Sequence, residues 1–80
     1  MASKHQTKII KQMEEAGYYV INLIKTNKNG IPDLLCLKAG EEPKFIECKE
    51  LKDTVKPLQQ FRIDELNRLG FNAYVSKSEK

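Results

Sequence analysis

The apolar positions of this chain change period several times, and each change marks an element. Ile9, Ile10, Met13 and Ala16 recur at helical spacing, which predicts a helix over about residues 3–16. Ser3 can accept from the open N–H groups at its start, with Gln6 completing a capping box, and Gly17 supplies the stop. The run YYVINLI is β-branched and aromatic, as strands are, and TNKNG after it is a basic, turn-forming loop. PDLLCLK and KFIECKE then read as strands, and their short connection, AGEEP, makes them an antiparallel hairpin. Pro57 sits where its missing N–H costs a new helix nothing. Leu58, Phe61, Leu66 and Leu69 line one side of that helix, Gly70 ends it, and FNAYVS forms a last strand. The order α-β-β-β-α-β predicts a small α/β fold, a sheet with helices packed against it.

Side chains alternate across a strand. Asp33, Leu35 and Leu37 therefore share one face of the first hairpin strand, and Phe45, Glu47 and Lys49 share one face of the second. A turn centred on Glu41 sets Asp33 opposite Lys49 and Leu35 opposite Glu47. Asp33, Glu47 and Lys49 then fall within side-chain reach of one another. Paired carboxylates make an oxygen-rich site suited to Mg²⁺, whose remaining ligands are water and substrate phosphate. A lysine beside them can orient a nucleophilic water or offset charge building at phosphorus. The plainer alternative is a solvated charged face that begins with a Pro-Asp turn. Against it, Leu35, Leu37 and Phe45 make the same face apolar, where an unpaired charge costs several kcal/mol, roughly. A salt bridge to Lys49 would absorb one acid and leave the other over.

A turn of about 100° per residue puts Gln59 beside the apolar stripe, facing the sheet, where it can hold a water or an acid or simply edge the core. Arg62 falls inside that stripe, which favours an interface or substrate contact over free solvent. Lys25 and Lys28 flank the loop before Gly30, while Lys52 and Lys56 follow the second hairpin strand. These cations are candidates for contact with a phosphate backbone.

Composition narrows the classes further. At 80 residues one small domain over 1–80 is expected, with a marginal core that self-association would relieve. The chain is 40% hydrophobic and 31% charged, which suits a soluble protein, and its net charge of +3 is compatible with a polyanionic partner. No apolar run is long enough to span a bilayer and the N-terminus is polar, so a cytoplasmic location is expected. Cys36 and Cys48 read as buried small hydrophobes, and a lone His5 argues against a His-based zinc site or a Ser-His triad.

The strings GIPDLLCL, FIECKE and KPLQQF, in this order, resemble the PD-(D/E)XK nuclease superfamily, and within it the virus-type replication-repair nuclease (VRR-NUC) family. The likeness runs from about Gly30 to Val75. It implies a restriction-endonuclease-like core with a mixed sheet, and a DNA endonuclease dependent on Mg²⁺ or Mn²⁺. Asp33, Glu47 and the Cys48 backbone carbonyl would be metal ligands, Lys49 the catalytic lysine and Gln59 the family glutamine. Related enzymes carry a glutamate in the first helix, where this chain has Gln6. That side chain is then either a neutral metal ligand or only part of the cap. The resemblance also implies a homodimer that acts on branched DNA such as four-way junctions or flaps. The competing reading is a catalytically weak nucleic-acid-binding module that keeps the nuclease fold.

Overall fold

A computed structural model describes residues 3–79. The elements are α1 (Lys4–Glu15), β1 (Tyr19–Asn22), β2 (Leu34–Leu37), β3 (Lys44–Lys49), α2 (Pro57–Arg68) and β4 (Asn72–Lys77). The order matches the sequence reading. The strands form a four-stranded mixed sheet in the order β1-β2-β3-β4, antiparallel except for β3 and β4, which run parallel with α2 as their crossover.

Each helix covers one face of that sheet. On the first face Leu34, Cys36, Ile46 and Cys48 form a buried cluster, and Ile9, Ile10 and Met13 of α1 pack onto it. The Ser3 hydroxyl caps α1 by accepting the Gln6 N–H at 3.0 Å. Ala16, expected inside, is exposed and serves as the C-cap. On the second face Ile63 and Leu66 of α2 meet Ala73, with Ile31, Phe45 and Val75 around them.

The apolar stripe of α2 departs from expectation. Leu66 is buried, but Leu58, Phe61 and Leu69 are 45%, 49% and 68% exposed. The buried edge of the helix instead runs through Ile63 and Leu66 with Gln59 half-buried beside them. The reason is that α2 is apolar on more than one side, so periodicity alone does not choose which side meets the sheet.

The hairpin register also differs from expectation. Leu34 pairs with Ile46, Leu35 with Phe45 and Cys36 with Lys44, a slip of two residues from the arrangement centred on Glu41. Gly40 decides it. The tight turn runs from Lys38 to Glu41, whose N–H bonds the Lys38 carbonyl at 3.1 Å, and Gly40 takes its third position at φ +82°. A slip of two keeps every side chain on its face, whereas a slip of one would have reversed them all. Asp33, Glu47 and Lys49 thus stay together, with Asp33 now opposite Glu47 if the register is continued by a residue.

Candidate active site

Alternation along β3 points Ile46 and Cys48 into the α1 face and leaves Phe45, Glu47 and Lys49 towards α2. Asp33 stands immediately before β2. There the backbone ladder has ended, and the Asp33 Oδ2 accepts the Cys48 main-chain N–H at 2.9 Å. Glu47 is 3% exposed, and the Lys49 Nζ lies 3.7 Å from its Oε2.

Two acids and one lysine leave a surplus negative charge in a buried place. Burial first, and then the charge of Asp33, push the Glu47 carboxyl up to about 7, with Lys49 opposing them. Near neutrality the Glu47 carboxyl therefore holds a proton for part of the time. This is the donor set a hard divalent cation fits: its charge would take over the neutralising role of that proton. Among the described residues no three His, Cys, Asp or Glu side chains gather at one point. The remaining ligands of such an ion would then come from main-chain oxygen, water or substrate. The Cys48 thiol is not one of them, because burial and then the acids raise it to about 12.

Two clefts border these residues, one at Asp33 and the other at Lys49. The first, of about 310 Å³, is lined by Lys25, Lys28, Asn29, Gly30, Asp33 and Gln59 among others. The second, of about 350 Å³, is lined by Lys49, Lys52, Asp53, Thr54 and Lys56. The fold thus puts Lys25 and Lys28 in a cleft with Asp33, and Lys52 and Lys56 in a cleft with Lys49.

Comparison with known proteins bears directly on this arrangement. A family model for the VRR-NUC domain matches residues 2–80. The chain belongs to the VRR-NUC family. A solved structure of a VRR-NUC domain superposes on it with a TM-score of 0.81 at 26% identity, covering 96% of this chain and 87% of the other. No curated protein matches. Function of nuclease type follows from VRR-NUC membership, and with it DNA as the class of substrate.

Other sequence-predicted residues of this VRR-NUC chain have more specific surroundings than spacing could reveal. Gln59 lines the first cleft with Asp33, and its Oε1 accepts the Lys56 N–H at 2.9 Å. With the oxygen so engaged, Gln59 offers its NH₂ as a donor. The Gln6 side chain crosses to β1, where its amide nitrogen donates to Asn22 Oδ1 at 3.1 Å. Asn22 pairs with Leu34, the residue after Asp33, so Gln6 reaches the end of the sheet that carries the acids. Arg62 is held within the protein. Its Nε donates to the Asn29 carbonyl at 2.9 Å and its NH1 pairs with Glu65 at 3.0 Å.

Sequence reasoning missed Asn22 and Asn29 because both act through partners remote in the chain. It also missed the local device of Thr26, whose hydroxyl accepts the Lys28 N–H at 3.1 Å and donates to the Lys28 carbonyl at 3.0 Å. A threonine in a turn-forming stretch was the available signal.

Proposed function

We propose that this VRR-NUC chain is a divalent-metal-dependent DNA endonuclease that hydrolyses phosphodiester bonds at Asp33, Glu47 and Lys49. The observation that carries the reading is the Glu47 carboxyl, buried against Asp33 with the Lys49 ammonium 3.7 Å away. Asp33 and Glu47, with the Cys48 backbone carbonyl as the family resemblance implies, would hold Mg²⁺ or Mn²⁺. Bound there, the ion supplies Lewis acidity towards phosphate oxygen and eases deprotonation of water.

The chain's own residues do the rest. In hydrolysis a water oxygen bonds to phosphorus while a P–O ester bond breaks, and the leaving oxygen takes up a proton. Lys49 places a cation where negative charge accumulates on the phosphoryl oxygens. Its position is fixed by Glu47, so little reorganisation is needed as that charge develops. Gln59 presents its amide NH₂ to the cleft and can orient a phosphate oxygen. Lys25 and Lys28 in one cleft, and Lys52 and Lys56 in the other, hold the backbone electrostatically.

We read the working form as a homodimer selective for branched DNA. Exposed Leu58, Phe61 and Leu69 on α2 support self-association, because a second copy would take their apolar surface out of water. Cleavage of junction, flap and linear DNA, with Mg²⁺ and with chelator, tests the function and its selectivity together. Degradation independent of divalent metal would overturn it.

A further inference from the structure

The loop between β1 and β2 is built more rigidly than a plain connection. Thr26 closes it on Lys28 through the paired bonds already described, and the Ile31 N–H bonds the Lys28 carbonyl at 3.4 Å. Its far end is fixed where the Leu23 N–H meets the Asp33 carbonyl at 2.8 Å. It is also clasped to α2 at Gly30, where a Cβ would lie 2.7 Å from Leu58 Cγ, and at Asn29, whose carbonyl takes the Arg62 Nε–H at 2.9 Å. Glu65 on the same helix holds the guanidinium in place at 3.0 Å. The product is a preformed cleft lined by Lys25 and Lys28 of the loop together with Asp33 and Gln59. Ile24, 86% exposed, and Ile31 add apolar surface.

We infer that this cleft is a subsite for the phosphate and sugar next to the scissile phosphate on the same DNA strand, and that Arg62 is its positioning residue. The inference rests on the nuclease reading for the scissile phosphate itself. The cations of Lys25 and Lys28 suit a phosphate, the apolar side chains suit a sugar, and Asp33 joins the cleft to the reacting centre. Arg62 spends its Nε–H on the Asn29 carbonyl and its NH1 on Glu65. It acts by keeping the lysine loop against α2, so that the cleft needs no ordering when the strand binds.

The test uses DNA oligonucleotides in which one phosphate at a time is replaced by a neutral methylphosphonate. Each is bound to the protein in chelator and, separately, cleaved with Mg²⁺. Replacement at one phosphate beside the cleaved bond should weaken binding roughly tenfold. Lys28→Ala should abolish that penalty, and Arg62→Ala should abolish the same penalty and no other. Arg62→Lys, which keeps a donor for the Asn29 carbonyl, should restore part of it, and replaces Arg62→Ala if that variant does not fold. A uniform penalty along the strand, or one unchanged in Lys28→Ala, would overturn the subsite. A penalty lost at a different phosphate in Arg62→Ala would make Arg62 a direct contact and overturn its positioning role. Position-specific binding that Lys28→Ala abolishes, without Mg²⁺-dependent cleavage, would defeat the nuclease reading and leave the cleft as a site for one phosphate of the strand.

Discussion

Asp33 accepts the Cys48 main-chain N–H at 2.9 Å, and this bond fastens the acid that precedes β2 to the strand carrying the other acid and the lysine. It continues with a side chain what the Leu34–Ile46 pairing begins with backbone. One carboxylate is therefore both a structural acceptor and a candidate metal ligand.

That double role separates two substitutions. Asp33→Asn keeps an acceptor for Cys48 and should stay within about 1 kcal/mol of the wild-type stability while losing cleavage. Asp33→Ala leaves the half-buried N–H without its partner and should lose cleavage together with about 1–3 kcal/mol. Urea denaturation beside an activity assay distinguishes them. Equal stability of the two variants would show that the bond contributes nothing to the fold.

Glu47 makes the metal-free protein sensitive to pH. Its folded value of about 7 lies above the ordinary carboxylate value of 4.5, so between the two the folded state binds more protons than the unfolded state. Stability should therefore fall as pH rises from about 5 to 8, by on the order of 3 kcal/mol in all. Glu47→Gln should flatten that dependence. Denaturation at several pH values in chelator reads the slope directly, and a rising slope in this window would contradict the burial of Glu47 against Asp33.

Gly30 is required by space as well as by backbone. Its φ is +81°, and a Cβ would stand 2.7 Å from Leu58 Cγ and 3.2 Å from the Leu58 backbone. Gly30→Ala should cost about 1–3 kcal/mol. Adding Leu58→Ala should recover part of that loss by removing the side-chain clash, while the strain of positive φ remains. Thermal melting of the single and double variants checks both statements.

Much of this molecule could be read from the chain because its signals are local. The glycine stops at Gly17 and Gly70, proline at the start of α2 and β-branched strands fix the element order. Strand alternation alone puts Asp33, Glu47 and Lys49 on one face. Register was less accessible, since it depends on whether the turn places Gly40 or Glu41 at its centre. A slip of two leaves faces unchanged, so the site survives the error. The α2 stripe was misjudged because Leu58, Phe61 and Leu69 have helical spacing without burial. The clasp from Arg62 to Asn29 spans 33 positions and has no local signature.

Those exposed residues give a further expectation. If Leu58, Phe61 and Leu69 meet a second copy, Phe61→Glu should shift a dimer to monomer in sedimentation at micromolar concentration and lower the preference for four-way junctions over linear duplex. A wild-type protein that sediments as a monomer would remove the dimer while leaving the chemistry intact.

The central claim is that Asp33, Glu47 and Lys49 form one metal-assisted hydrolytic centre. Cleavage of a four-way junction by wild-type protein and by Lys49→Ala, with Mg²⁺ titrated in each and Mg²⁺ binding followed by calorimetry, tests it most directly. The expected result is Mg²⁺-dependent cutting by the wild type and a loss of at least about a hundredfold in Lys49→Ala. Mg²⁺ should still bind to Lys49→Ala, because the carboxylates that would hold the ion are intact. Cutting by Lys49→Ala at the wild-type rate, or by either protein in chelator, would contradict the account.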